Sequence, residues 1–184
     1  YCPSSSSAQV PCPAGTYSVA TEAIDDSTCS LCPRGHACTS PATTTPTGCE
    51  AGYHCSERGL NTTRPAHLLC DPGYYCPAAT TQQLGCDSGY YQDDAGQVTC
   101  KVCPAGFVCD ATSAPIRNGT ETPCPVGHFC PEGTGSGTAN PCPVGTISNR
   151  TGLWNETQCL ACPGGFYCDS VGQTEPTAAC HAGY

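Results

Sequence analysis

Apolar residues along this chain do not recur at the three- or four-residue spacing that would mark one face of a helix. They stand singly or in short runs between stretches rich in Ser, Thr, Pro and Gly, such as TSPATTTPTG and PEGTGSGTANP. Stretches of that composition predict turns and loops. The pattern therefore predicts short strands joined by turns, with little helix.

A short element, Cys-X-X-Gly usually followed by an aromatic residue or Thr, recurs ten times along the chain. Pro follows the cysteine in six of the ten copies, which suits the first corner of a tight turn. The glycine is expected at positive φ, which glycine adopts at the least cost. The ten predicted turn glycines are Gly15, Gly35, Gly52, Gly73, Gly89, Gly106, Gly127, Gly145, Gly165 and Gly183.

The elements are of two kinds, and their order divides the chain into modules. In a closed element a second cysteine follows six positions after the first, whereas in an open element the next cysteine is 14 or 17 positions away. Each open element leads through a Cys-X-X-Cys step into a closed one. The predicted modules are residues 12–85, with an extra closed element, residues 86–141, and an incomplete module at residues 142–184, while residues 1–11 end a preceding module.

Composition indicates that cross-links, rather than an apolar interior, hold these turns together. Leu, Ile, Val and Phe make up 21 of 184 residues, a proportion typical of disordered chains. Cysteine accounts for 20 residues, above the roughly 8–10% that marks a disulfide scaffold in a secreted chain. The predicted fold class is small and disulfide-rich, an elongated rod of tandem cysteine-rich modules with short β-strands. Because disulfides persist in oxidising surroundings, we expect an extracellular or cell-surface location.

Cysteine spacing suggests a pairing, although spacing alone leaves many connectivities open. Open elements most simply close on themselves, and successive closed elements can pair in parallel because their first and second cysteines are equally separated. Two cysteines of the first module remain and are expected to bond to each other. The predicted disulfides are Cys12–Cys29, Cys32–Cys49, Cys38–Cys55, Cys70–Cys76, Cys86–Cys100, Cys103–Cys124, Cys109–Cys130, Cys142–Cys159 and Cys162–Cys180, with Cys168 bonded to Cys2 of a following repeat.

The two ends of the sequence complement each other. The sequence ends in CHAGY and starts with Tyr1-Cys2, so placing the start after the end gives CHAGYYC, a complete closed element. One hypothesis is that residues 1–184 are one period of a tandem or head-to-tail array. The alternative is an arbitrary boundary within one large repeat protein. No signal peptide precedes Tyr1, which favours a processed form or an excised segment.

The closed elements CPRGHAC, CPAGFVC, CPVGHFC and CPGGFYC resemble the Cys-Pro-X-Gly-X-Tyr-Cys repeats of ephrin-receptor-like modules. They are also similar to tumour necrosis factor receptor-like and growth-factor-receptor cysteine-rich modules. The run PCPVGTISNRTGLWNETQCLACPGGFYC resembles very large cysteine-rich surface proteins of protists and aquatic invertebrates. The resemblance implies a rod of stacked extracellular modules, each touching only its neighbours, and does not by itself specify a function.

Covalent glycans are the expected decoration of this chain, and no other cofactor is expected. Four of its five asparagines lie in Asn-X-Thr sequons and predict N-glycans, whereas Asn140 precedes Pro and cannot be an acceptor. The predicted N-glycosylation sites are Asn61, Asn118, Asn149 and Asn155. The O-glycan candidates, for which plain solvated loops are the alternative, are Ser4, Ser5, Ser6, Ser7, Thr43, Thr44 and Thr45.

Charge and side-chain chemistry exclude several kinds of partner. A net charge of −9 with six scattered basic residues gives no cationic footprint for nucleic acid. No apolar run is long enough to span a bilayer, so no membrane insertion of this segment is expected. The Cys-X-X-Cys steps could be zinc or redox motifs, but a ladder of cysteines favours structural disulfides, and no metal ligand or catalytic residue is expected. Asp25-Asp26 and Asp93-Asp94 are interpreted as solvated loops rather than calcium ligands.

These observations favour a structural function without catalysis. The first hypothesis is a repeat segment of an extracellular glycoprotein filament, a flagellar hair resembling a mastigoneme, or a cell-surface coat, which self-associates head to tail or in tandem. Other surface glycoproteins are further candidate partners. The second hypothesis is a receptor-like ectodomain module that binds a protein ligand. Trp154 is either an anchor for a subunit contact or local cover for the disulfide beneath it.

Overall fold

The computed structural model describes residues 1–183, and in them twelve two-residue strands form six pairs. The pairs are β1 (Thr16–Tyr17) with β2 (Ser30–Leu31), β3 (His36–Ala37) with β4 (Thr47–Gly48), β5 (Tyr74–Tyr75) with β6 (Leu84–Gly85), β7 (Tyr90–Tyr91) with β8 (Lys101–Val102), β9 (Thr146–Ile147) with β10 (Leu160–Ala161), and β11 (Phe166–Tyr167) with β12 (Ala178–Ala179). Three 3₁₀ helices of three residues span Asp26–Thr28, Ala66–Leu68 and Glu156–Gln158. The prediction of a small disulfide-rich fold with short strands and little helix is therefore confirmed.

The first strand of each pair begins at the residue directly after a turn glycine. In β1, Thr16 follows Gly15 and lies opposite Leu31. Three further elements form single bridges at the same position instead of strand pairs. These bridges are Tyr53 with Leu69, Phe107 with Pro123, and His128 with Pro141. The turn glycine therefore sets where the first strand of each pair or bridge begins.

All ten predicted turn glycines have positive φ, between +75° and +97°. A residue with a Cβ is strained in this region, because its side chain approaches the following carbonyl oxygen. The prediction from the Cys-X-X-Gly pattern is thus confirmed at every copy. The turn folds each element back on itself, which places the sixth residue after the opening cysteine near that cysteine.

The buried interior consists mainly of cystine. Eleven cysteines have 1% or less of their surface exposed, whereas few aliphatic side chains are buried. The aliphatic part is small and includes Leu60 and Leu68, which pack with Cys49 and Cys55, and Val108, which packs with Cys124 and Cys130. Disulfides therefore occupy the place that apolar side chains fill in an ordinary domain.

Nine disulfides lie in residues 1–183, and four of them match the pairing that spacing suggested. The three open elements close on themselves with Cα–Cα distances of 5.6 to 5.9 Å. The two cysteines left over in the first module also bond to each other. The four disulfides are Cys12–Cys29, Cys86–Cys100, Cys142–Cys159 and Cys70–Cys76.

The predicted parallel pairing of closed elements is wrong. Each closed element instead bonds its own two cysteines, six residues apart, with Cα–Cα distances of 5.7 to 6.3 Å. Cα atoms at this distance suit a disulfide, and the glycine turn between the two cysteines brings their Cα atoms to this distance. The structure therefore replaces Cys32–Cys49, Cys38–Cys55, Cys103–Cys124, Cys109–Cys130, Cys162–Cys180 and the bond from Cys168 to Cys2 of a following repeat by Cys32–Cys38, Cys49–Cys55, Cys103–Cys109, Cys124–Cys130 and Cys162–Cys168. Cys2 and Cys180 remain unpaired and exposed.

The residues group into two compact units. The first comprises Tyr1–Leu84 and Asp94–Thr99, and the second comprises Gly85–Asp93 and the residues from Cys100 onward. The module boundaries predicted at residues 85 and 141 stay predictions. Over the part of the chain that the structure describes, no helix has the length and apolar character needed to cross a bilayer.

Candidate functional site

Within each of the two units, the disulfide elements follow one another as a ladder, and each element forms one rung. A rung runs from its opening cysteine through the turn glycine to the closing position six residues after the opening cysteine. In closed rungs the closing position is a cysteine. In the three open rungs it is Ser18, Gln92 or Ser148, and the last two are buried with 2% exposure. Open and closed rungs therefore have the same order of positions along the backbone. They differ in the disulfide partner of the opening cysteine, which lies at the closing position in a closed rung and further along the chain in an open rung.

Within each unit, two backbone hydrogen bonds connect successive complete rungs. The N–H of an opening cysteine donates to the carbonyl of the preceding turn glycine, as from Cys124 to Gly106 at 2.8 Å. The N–H of a turn glycine donates to the carbonyl of the next closing position, as from Gly106 to Cys130 at 2.8 Å. The same register holds for Ser148 in an open rung, whose carbonyl accepts from Gly127 at 2.8 Å. Successive rungs are thus joined by backbone groups that do not depend on side-chain identity.

Among the described residues, a second turn caps seven of the rungs through a residue that we call the cover residue. Its N–H donates to the opening cysteine of the rung, as from Gly152 to Cys124 at 2.8 Å. The residue after it accepts from the closing position, as Leu153 does from Cys130 at 2.8 Å. Each cover residue has positive φ and lies three or four positions after a closing position. The cover residues are Ala42, Gly59, Ala79, Gly96, Gly133, Gly152 and Gly172.

Cover residues also pack directly against turn glycines. A Cβ on Gly127 would come within 2.2 Å of the Gly172 carbonyl oxygen, and one on Gly52 would come within 2.4 Å of the Gly96 carbonyl oxygen. Glycine is therefore required twice at these turns, once for its φ angle and once for the close approach of another backbone. The sequence analysis found the first requirement and missed the cover residues.

Charged side chains lie outside this ladder and pair at the surface. Arg64 donates to Glu50 from Nε at 2.6 Å, and Thr63 Oγ1 donates to the same carboxylate at 3.0 Å. The hydrogen bond from Arg64, followed by that from Thr63, lowers the pKa of the Glu50 carboxyl below its ordinary value. Lys101 likewise lowers the pKa of Asp93 by hydrogen bonding to it.

Replacing Arg64 with Met is expected to raise the pKa of Glu50 back toward its ordinary value. A carboxyl group whose pKa is lower in the folded state than in the unfolded state stabilises the fold at a pH above its unfolded-state pKa. This stabilisation is lost as the pH falls through the folded-state pKa. Between neutral and acid pH, the free energy of unfolding should therefore fall less in the variant than in the wild type. The difference is small because the Arg64 and Glu50 side chains are both exposed. An NMR titration of the Glu50 side chain measures the shift, with Arg34→Met as the control and an unchanged Glu50 pKa in Arg64→Met as the contradicting result.

The carboxylate pairs considered as calcium ligands bind local groups instead. Asp25 accepts hydrogen bonds from Ser27 and begins the helix Asp26–Thr28, which lowers the pKa of Asp25. Asp93 is paired with Lys101. Within residues 1–183, no three His, Cys, Asp or Glu side chains converge in a way that could hold a metal ion.

All four predicted N-glycosylation asparagines are exposed. Asn118 accepts from the N–H and hydroxyl of Thr120, and Asn155 accepts from the N–H of Thr157, so both sequons are held in tight local turns. Among the O-glycan candidates, residues 4–7 are exposed, as are Thr44 and Thr45, whereas Thr43 is half-buried and donates to the Ser40 carbonyl. The geometry leaves the sequons accessible, and their occupancy stays a prediction.

Protein from a eukaryotic secretory host is expected to carry N-glycans at these four asparagines. Enzymatic release of N-glycans in heavy-oxygen water converts each occupied asparagine to labelled aspartate, which peptide mass spectrometry locates. Asn140 supplies an internal control because it precedes Pro and should stay unlabelled. Label at none of the four sequons would contradict the prediction.

Comparison with known families agrees with this geometry. A disulfide ladder of this kind defines a cysteine-rich module of the extracellular type. Residues 73–118 match the family described as tyrosine-protein kinase ephrin type A/B receptor-like. Residues 73–118 thus fit an ephrin-receptor-like cysteine-rich module, as the Cys-Pro-X-Gly elements predicted, and such a module is a non-catalytic type of domain. A search among curated proteins gave no match.

Proposed function

We propose that this chain is a non-catalytic structural repeat segment of an extracellular glycoprotein filament, flagellar hair or cell-surface coat. The observation that carries the proposal is the constant hydrogen-bond register between rungs. Within each unit, every opening cysteine after the first donates to the turn glycine before it, and these include Cys142 of an open rung. A hydrogen-bond register that is the same from one rung to the next can be repeated without a new fold, as in other repeat proteins.

Surface chemistry supports a role in a hydrated extracellular layer. The chain has a net charge of −9, and its four sequons are exposed. Glycans and acidic side chains bind water and keep neighbouring molecules apart, which suits a coat or hair. Cystine at the interior gives stability where few apolar residues are buried.

Negative-stain electron microscopy of the native assembly tests this function. The proposal predicts extended filaments or a fibrous layer that labels with antibody against this chain. Globular, monodisperse particles in the native material would contradict it. Recombinant chain serves as the control, because it shows whether any filament depends on other components of the source.

Receptor-like ligand binding is the second candidate, and two observations favour it. The family match at residues 73–118 is to a model named for receptors. Trp154 has 52% of its surface exposed, and exposed Trp side chains often anchor protein interfaces. Capture of one protein ligand by the wild-type chain and its loss in Trp154→Ala would favour this candidate, while equal capture by both would count against it.

A further inference from the structure

Every disulfide among residues 1–183 closes within its own element, and none joins one rung to another. Closed rungs bond cysteines six positions apart, and open rungs bond cysteines 14 or 17 positions apart. In an open rung the second cysteine lies only three positions before the next rung, as Cys159 does before Cys162. The main chain is therefore the only covalent connection between successive rungs.

Backbone hydrogen bonds hold successive rungs of a unit together. Four of them join the rung that opens at Cys103 to the rung and the cover turn that follow it. These bonds, 2.8 to 3.0 Å long, run from Cys124 to Gly106, from Gly106 to Cys130, from Gly133 to Cys103 and from Cys109 to Thr134. Water can replace a backbone hydrogen bond that tension breaks, whereas nothing replaces a broken covalent bond. Tension on the chain should therefore separate rungs long before it breaks a disulfide.

The segments between closed rungs hold length that tension can draw out. In the second unit, fifteen positions separate Cys109 from Cys124. In the folded chain this segment turns back, so that Pro123 bridges Phe107. A stretched chain spans at most about 3.3–3.6 Å per residue, so the same segment can reach about 50 Å. The corresponding segment of the first unit, residues 55–70, is equally long.

The disulfide of a closed rung keeps the turn of that rung out of the stretched path. Tension passes from Cys124 to Cys130 through their sulfur atoms, and the intact bond holds the two Cα atoms near their folded separation of 5.7 Å. The loop between them, which contains Gly127, stays closed at any tension that leaves the bond intact. Closing a loop costs conformational entropy when a chain refolds, and this loop is already closed. A released chain therefore has to restore only the register between rungs.

An open rung keeps a longer loop out of the stretched path. The bond from Cys142 to Cys159 encloses 17 positions of chain and joins Cα atoms 5.8 Å apart. That loop carries Trp154 and the sequons at Asn149 and Asn155. Because tension on the chain passes through the disulfide and not through the loop, these exposed groups stay on a closed loop while the segments between closed rungs lengthen.

We propose that each unit of this chain is a reversible extension reserve. Tension separates successive rungs and draws out the segments between them, while every loop closed by a disulfide is retained and guides the return when the tension falls. The segments that lengthen are residues 38–49 and 55–70 in the first unit and residues 109–124 and 130–142 in the second. This inference rests on the proposed structural function and deepens it, because an extracellular hair, filament or coat is exposed to fluid flow.

Stretching the full chain in optical tweezers measures this reserve. DNA handles can be joined by thioether links to Cys2 and Cys180, which are exposed and unpaired. Six closed loops of six positions and open loops of 17, 14 and 17 positions take 84 of the 178 positions between these cysteines out of the stretched path. The oxidised chain should therefore reach about 380 Å and the reduced chain about 620 Å. Only the oxidised chain should return to its folded length in repeated cycles.

A variant that fastens one segment shows whether that segment supplies the extension. Phe107 and Pro123 face each other between hydrogen bonds donated by Cys124 and Val108, so they form the closely spaced kind of antiparallel pair. A disulfide in Phe107→Cys with Pro123→Cys fits that spacing. The path from Cys103 to Cys124 then has five free positions instead of fifteen, which should shorten the stretched chain by about 35 Å. Phe107→Ser with Pro123→Ser, which cannot form the bond, is the matched control.

Two results would each overturn the inference. One is an equal stretched length for the serine pair and for the cysteine pair, once peptide mapping has confirmed the new disulfide. The other is an oxidised wild-type chain that stays extended after the tension is removed. Either result leaves the proposed function intact, because native filaments seen by microscopy need not stretch.

Discussion

Reducing the nine disulfides is expected to unfold the chain completely at neutral pH. In the chain-entropy model a closed rung contributes roughly 2 kcal/mol and an open rung about 3 kcal/mol, because the open rungs close longer loops. Nine such contributions exceed the roughly 5–15 kcal/mol of net stability that is usual for a folded domain. Few aliphatic side chains are buried, so nothing else in residues 1–183 replaces the lost cystine.

The measurement is a comparison of amide hydrogen exchange and NMR chemical-shift dispersion before and after reduction and alkylation. Alkylation without a reductant is the control, and it should modify Cys2 and Cys180 while leaving the dispersion unchanged. A dispersed spectrum with protected amides in the fully reduced and alkylated chain would show that something other than cystine holds the turns.

Substituting Ala at Gly127 is expected to destabilise the protein more than the same substitution at Gly145. Both glycines have positive φ, +75° and +84°, so each variant incurs the roughly 1–2 kcal/mol cost of placing an L-residue there. At Gly127 the new Cβ would also lie 2.2 Å from the Gly172 carbonyl oxygen, and relieving that overlap costs about another 1–3 kcal/mol. At Gly145 the Cβ enters open space.

Denaturant unfolding of the oxidised proteins measures these differences. Gly164→Ala is the matched control, because Gly164 is not at positive φ and its Cβ would also meet nothing within 4 Å. The expected order of destabilisation is Gly127→Ala, then Gly145→Ala, then Gly164→Ala near zero. Equal losses at Gly127 and Gly145 would show that cover residues do not pack on the turn glycines.

Local features of this fold could be predicted from the sequence because they are encoded within a few residues. The turn glycines are an example, since the conformation of Gly127 depends mainly on its immediate neighbours. The open-element bonds such as Cys142–Cys159 were also predictable, because the closing position that would compete for Cys142 is Ser148. In each case the nearby residues allowed a single outcome, one backbone conformation for the glycine and one bonding partner for the cysteine.

The pairing of closed elements could not be decided from spacing. Cys103, Cys109, Cys124 and Cys130 satisfy both a parallel exchange between rungs and closure within each rung. What decides between them is the turn, which brings Cys124 and Cys130 to a Cα–Cα distance of 5.7 Å. Cys124 instead contacts the preceding rung by donating its backbone N–H to the Gly106 carbonyl.

Cover residues escaped the sequence analysis because their signal is weak. Gly133, Gly152 and Gly172 follow closing positions by three or four residues, and a second glycine at that spacing could have been noticed. Ala42 and Ala79 hold the same conformation, at φ +58°, without any compositional sign. There the ladder imposes a strained backbone on an ordinary residue, and only the hydrogen-bond register reveals it.

Disulfide mapping of the non-reduced, alkylated protein by mass spectrometry tests the central claim most directly. Proteolysis between rungs should release peptides in which Cys103 is linked to Cys109 and Cys124 to Cys130. Links between Cys103 and Cys124 and between Cys109 and Cys130, or mostly free thiols, would contradict a ladder of rungs that each close on themselves.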